Sequence, residues 1–169
     1  GRDSKPIFHH ELEHAADDID AIVAKGPPPP SAGEGDDRYY WDIMDEGGRQ
    51  DAKWASLNPE GKAIYDRTRS KSWYEFQWVK RLLPGFARPK GFSYGYGKEN
   101  ENEDRATIAE LLMTDLQKAH LLAQQDEILA RKIAKLKEYM LRRSGGRMNE
   151  QYWKDLEAGK VDEKYWETH

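Results

Sequence analysis

The chain has no cysteine, no run of about eighteen or more apolar residues, and little apolar material overall: 37% of its 169 residues are hydrophobic and 34% are charged. Each shortage excludes something. Without thiols there are no disulfides and no thiolate metal sites, which fits a reducing compartment. Without a long apolar run nothing spans a membrane, although docking onto a membrane complex stays open. The low apolar content argues against a large autonomous core, and the length allows one domain or one small domain with extensions. No glycine-rich phosphate loop, nucleophile elbow or dinucleotide fingerprint occurs. Carboxylates and histidines are plentiful but have no pocket-forming context. The expectation is a protein with no catalytic residue and no cofactor. The chain starts at Gly1 rather than methionine, as expected of either a processed mature form or a trimmed chain, and the sequence leaves open whether a targeting peptide was removed.

A further absence carries the most information. Glycine and proline are missing from Glu103 to Arg143, and an apolar stripe runs along that stretch through Ile108, Leu112, Leu116, Ala119, Leu122, Leu129, Ile133, Leu136 and Met140, interrupted where Asp126 occupies it. The step is close to 3.6 residues, so the pattern predicts one helix, roughly 60 Å long at 1.5 Å per residue. A rod of that length is expected to lie on another protein, because the rest of the chain is too small to cover its stripe. A strict heptad would put Asp115 or Lys118 in the seam, so a symmetric coiled-coil dimer is not expected.

Punctuation divides the remainder. Residues 1–26 form an N-terminal amphipathic helix with Phe8, Leu12, Ala16, Ile19 and Val23 on one face, stopped by Gly26 and the prolines after it. Residues 27–38 are a Pro/Gly-rich, polyproline-like linker. Residues 39–98 are a basic aromatic helical unit and loop. In it Asn58-Pro59-Glu60 marks a helix start, a second helix is expected from Ser72 to Leu83, and Trp54, Leu57, Ile64 and Tyr65 fall where a small helical hairpin buries its face. Residues 99–146 hold the long helix, with Glu101, Glu103 and Asp104 complementing its positive end, Arg142 and Arg143 its negative end, and Gly145-Gly146 ending it. Residues 147–169 are a tail with two Tyr-Trp pairs. The fold class expected is all-α and extended: one small helical hairpin unit plus a long single helix, with irregular linkers and an aromatic tail.

Charge is distributed in blocks. Residues 1–52 carry 5 Lys and Arg against 13 Asp and Glu, residues 53–98 carry 10 against 3, and residues 99–169 carry 12 against 15. Blocks of opposite sign mark different partners for different segments. In the basic block, cations alternate with rings able to stack on bases, as looped or single-stranded RNA requires. Arg67, Arg81, Arg88 and Lys90, with Trp73 and Trp78, are the candidate RNA or protein contacts there, and Tyr152, Trp153, Tyr165 and Trp166 are the candidate anchors in the tail. The bland alternative for the tryptophans is a hairpin core with a solvated basic rim.

His10-Glu11-Leu12-Glu13-His14 matches the H-E-x-x-H pattern, in which two histidines one helical turn apart bind zinc and the glutamate acts as a general base. Over these five residues it resembles the zincin metalloproteases. Asp17 stands where the extended pattern has glycine, Asp20 stands where a third ligand would fall, and only nine residues precede the motif where a sheet would have to be. A solvated acidic helix face is the preferred reading, so no metal ligand is assigned.

Residues Lys53 to Tyr65 resemble both the junction of the second and third helices of an HMG box and the matrix-side helical segment of cytochrome c oxidase subunit IV. Both imply a capped helical corner and nothing further. Lacking cysteine and an initiator methionine, with a proline-rich linker and aromatic-charged clusters, the chain looks like a lineage-specific accessory subunit of a large mitochondrial assembly. That resemblance implies a non-catalytic structural role on the matrix side among several protein subunits. The assembly is expected to be the mitochondrial ribosome, with rRNA contacted through residues 53–98, slightly ahead of a respiratory complex or ATP synthase. A stand-alone nucleic-acid-binding or adaptor protein, and a zinc metalloprotease acting through His10 to His14, are the alternatives.

Overall fold

The computed structural model describes residues 5–26, 52–59, 65, 88–162 and 164–168, which are all-α with no strand among them. The elements are α1 (Lys5–Lys25), α2 (Ala52–Ala55), a 3-10 turn (Gly95–Lys98), α3 (Glu101–Thr114), α4 (Leu116–Gln125), α5 (Glu127–Arg143), α6 (Glu150–Glu157) and α7 (Tyr165–Thr168). No helix among these residues is long and apolar enough to cross a membrane. The linker at 27–38, the helices expected after Asn58 and from Ser72, and candidate contacts Arg67, Trp73, Trp78 and Arg81 lie outside the described residues.

The expected rod is three helices. Asp115 (φ −153°, ψ 70°) donates its N–H to Leu111 O at 2.9 Å, closing α3, while its carboxylate accepts the Lys118 N–H at 3.0 Å and opens α4. Asp126 (φ −144°, ψ 95°) does the same between α4 and α5, donating to Ala123 O at 3.3 Å and accepting from the Leu129 N–H at 3.1 Å. A short carboxylate that bonds nearby backbone donors competes with the helix it sits in. Here that competition wins because the turns let α3, α4 and α5 pack on one another. Ile108, Leu112, Leu129 and Leu136 become inaccessible, Leu116, Ala119, Ile133 and Met140 are buried, and Leu122 is half-buried against them. Burying each large aliphatic side chain is worth roughly 1.5–3 kcal/mol, a gain an isolated rod forgoes. The stripe expected to lie on another protein is this chain's own core.

α3 is the central helix, touched by α1, the 3-10 turn, α4 and α5 and buried along most of its length. Asn100 caps it, its side-chain oxygen accepting the Glu103 N–H at 3.0 Å. α5 ends where expected: Gly145 and Gly146 take positive φ, and the Gly146 N–H reaches back to Leu141 O at 2.8 Å.

The tail folds back too. Tyr152, Trp153 and Tyr165, expected as partner anchors, are buried in the core, with the Tyr165 hydroxyl donating to Asp155 at 3.0 Å. Only Trp166 of the four keeps substantial exposure, 39%, stacked on Tyr152. These rings serve as anchors, but inside the chain, because the bend after α5 brings α6 back against α4.

Candidate functional site

α1 docks on the body through its polar face. Arg105 of α3 meets Asp17 at 2.8 Å, and Arg143 at the end of α5 reaches Glu13 at 2.7 Å, Asp17 at 2.6 Å and Asp20 at 3.0 Å. Burial raises the Glu13 carboxyl above its ordinary value despite Arg143, whereas Arg143 is raised because Glu13 and Asp17 outweigh the effect of its own burial. The apolar face therefore points outward: Phe8 is 61% exposed, Leu12 48%, Ile19 60% and Val23 75%.

The same docking aligns the histidines of the H-E-x-x-H motif with α3. His10 Nε2 lies 3.2 Å from His14 Nε2, and Glu103 Oε2 lies 3.1 Å from the first and 3.4 Å from the second. On its other side, His10 Nδ1 is 3.7 Å from Glu110 Oε2. Tyr96, from the 3-10 turn, packs its ring 5.9 Å from that of His10. Burial opposes ionisation of Glu103, but the two imidazoles hold its carboxyl down at about 2; burial opposes protonation of His14, and Glu103 raises it nonetheless. Glu103 Oε2 is buried and has no partner at hydrogen-bond geometry. The motif's spacing pointed to Asp20 as a third donor, but Asp20 is taken by Arg142 and Arg143. Glu103 comes from another helix, and no local pattern announces it.

A second polar cluster lies in the core. Asp104 Oδ2 accepts from Trp54 Nε1 at 2.9 Å and the Tyr65 hydroxyl at 2.7 Å, and pairs with Lys132 Nζ at 2.6 Å. Lys132 also donates to Gly91 O at 2.7 Å and sits 3.9 Å from the centre of the Phe92 ring. Burial pushes Asp104 up and Lys132 down, each toward its neutral form, with the mutual attraction opposing both. These partners come from the fold itself and join α2, the loop before α3, α3 and α5, while Asp104 Oδ1 is buried with no hydrogen-bond partner among the described residues.

Of the basic candidates within the described residues, Arg88 is half-buried, its Nη1 donating to Phe92 O at 2.6 Å and Asp126 at 2.8 Å. Lys90 is exposed. The structure thus brings together the two histidines of the motif, adds Glu103, which in the sequence shows only as a helix-end charge, and turns most of the tail anchors inward. No protein family matches the chain, and neither does any curated protein or solved structure.

Proposed function

We propose that the protein is a non-catalytic accessory subunit of a large assembly and docks on a neighbouring protein subunit through the outward face of α1. The observation that carries this reading is the inversion of that helix: Glu13 and Asp17 are buried while Phe8, Leu12, Ile19 and Val23 face out. A helix held by its charges with its apolar stripe left open is built for helix-in-groove recognition. Five carboxylates stand in α1 beside two lysines at its ends. Three of the five, Glu13, Asp17 and Asp20, are paired with Arg143 or Arg105, so Glu11 and Asp18 remain beside the outward stripe. That stripe carries no cluster of Lys and Arg of the kind that draws a helix to an anionic membrane, and an apolar groove on a protein is favoured.

The assembly proposed is mitochondrial and matrix-side, on the sequence resemblance alone, with the ribosome slightly ahead of a respiratory complex or ATP synthase. Exposed Lys90 and the excess of Lys and Arg between residues 53 and 98 support an rRNA contact.

The test is native purification of the tagged protein beside its Leu12→Asp/Ile19→Asp variant, with mass spectrometry and RNA quantification before and after nuclease. Stoichiometric subunits of one assembly should accompany the parent and be lost from the folded variant. rRNA among them would mark the ribosome, and subunits without RNA an energy-converting complex. An unchanged partner set in the variant, or recovery of the chain alone or as a homo-oligomer, would reject the reading.

A further inference from the structure

We propose that His10, His14 and Glu103 bind one divalent transition-metal ion of the zinc type, which fastens α1 to α3. Nε2 of each histidine and Oε2 of the glutamate form a triangle with edges of 3.1, 3.2 and 3.4 Å. Zinc holds nitrogen and oxygen ligands at about 2.0–2.1 Å in a tetrahedron, and that requires ligand-to-ligand edges of about 3.3 Å. The triangle is one face of such a tetrahedron.

Other features agree with that geometry. The two histidines stand four residues apart on one face of a helix, so the spacing of two of the three donors is set by α1 itself. The third donor is a buried carboxylate oxygen aimed between the two imidazoles, 3.1 Å from one Nε2 and 3.4 Å from the other. An ion at the centre would take the place of these direct contacts and convert two crowded imidazole nitrogens and one carboxylate oxygen into ligands of one centre. Glu110 Oε2 lies 3.7 Å from His10 Nδ1, longer than a hydrogen bond, on the side from which a carboxylate orients a metal-bound histidine. Two imidazoles and one carboxylate suit zinc, cobalt, nickel or copper rather than magnesium or calcium, which take oxygen donors. Side-chain exposures of 12% for His10, 16% for Glu103 and 25% for His14 keep the cluster close to solvent.

The ion's effect is mechanical. His10 and His14 bracket Glu11 and Leu12 on α1, and Glu103 stands in the first turn of α3. Metal binding would fix the N-terminal half of α1, as Arg143 fixes its middle, and hold Phe8 and Leu12 outward.

The experiment titrates the metal-free full chain with Zn²⁺, and with Co²⁺ as a spectroscopic probe. One ion should bind per chain, Co²⁺ should give the intense visible bands of a four-coordinate nitrogen and oxygen site, and zinc should raise Tm and slow tryptic cleavage at Lys25. Glu103→Gln should weaken zinc binding at least tenfold, and His10→Gln/His14→Gln should abolish it. His120→Gln and His9→Gln should leave it unchanged, with circular dichroism confirming that each variant folds. Binding by Glu103→Gln equal to the parent would mean a surface histidine pair and no built site. That result, or binding that survives loss of both histidines, would overturn the proposal.

Discussion

Lys132 and Asp104 face each other at 2.6 Å with no exposed surface on either side chain. Neither side chain is solvated, so each depends on the other and on Trp54 and Tyr65, which bond Asp104 Oδ2, and Gly91, whose carbonyl accepts from Lys132. Lys132→Met would leave Asp104 buried beside a thioether and orphan the Gly91 carbonyl. Breaking one side of such a pair typically costs about 3–5 kcal/mol. The expected result is a loss of that order in urea unfolding, with the Asp104→Asn/Lys132→Met double variant losing clearly less than the sum of the two single changes.

Asp126 closes α4, opens α5 and accepts at Oδ2 from the Gly91 N–H at 2.7 Å and from Arg88 at 2.8 Å. Asp115 only caps. Asp115→Ala should therefore cost about 1 kcal/mol, the usual worth of a cap, and Asp126→Ala about two to three times that, because it also strands a buried N–H and a guanidinium. Burial tends to raise the Asp126 carboxyl, but the bonds from Gly91, Leu129 and Arg88 outweigh it and lower it below its ordinary value. The folded state thus binds this proton less readily than the unfolded chain. The stabilisation is whole above the ordinary aspartate value of about 4 and is lost as pH falls through the lowered folded value. Unfolding free energy measured downward from pH 5 should fall less steeply in Asp126→Asn than in the parent.

Gly91 sits at φ +85°, and a Cβ placed there would come within 2.8 Å of Ile128 Cγ2. Both the backbone conformation and the packing require glycine at this position. Gly91→Ala should destabilise by more than about 1 kcal/mol, since the left-handed conformation disfavours alanine and the contact forces Ile128 aside. Adding Ile128→Ala should relieve the steric part only, so the double variant should unfold at a lower denaturant midpoint than Ile128→Ala alone.

How much of this was legible follows the range of each interaction. The all-α class, the end of α1 at Gly26 and the end of α5 at Gly145 and Gly146 rest on composition and on single residues with positive φ, and local chemistry shows them. The identity of the stripe was legible as well, from Ile108 to Met140, but what covers it was not. An aspartate inside a helix costs under about 1 kcal/mol relative to alanine, so neither Asp115 nor Asp126 dictates a turn until the burial of Leu129 and Leu136 tips the balance. In the sequence Glu103 and Asp104 show only as charges complementing a helix end. Their neighbours His10 and Lys132 come from helices distant in sequence, and a single chain read along its length offers no signal for such pairings.

Arg143 is what the docking of α1 rests on most heavily. It serves three carboxylates at once, and two of them, Glu13 and Asp17, are buried. Removing it leaves those two charges close together, with Arg105, which is bonded to Asp17, as the remaining compensation. Undocking α1 returns both carboxylates to water, and the helix loses little apolar burial by leaving, because its stripe is already outside. Arg143→Met should thus release α1 while the α3 to α6 core stays folded. Trypsin should cut at Lys25 several-fold faster than in the parent, and the helical signal should fall only by the share that α1 contributes. Lys at 143 would keep a charge but lose the fork that reaches Glu13, Asp17 and Asp20 together, so Arg143→Lys should fall between the two. A cleavage rate for Arg143→Met equal to that of the parent would show that Arg105 and Asp17 hold α1 without it.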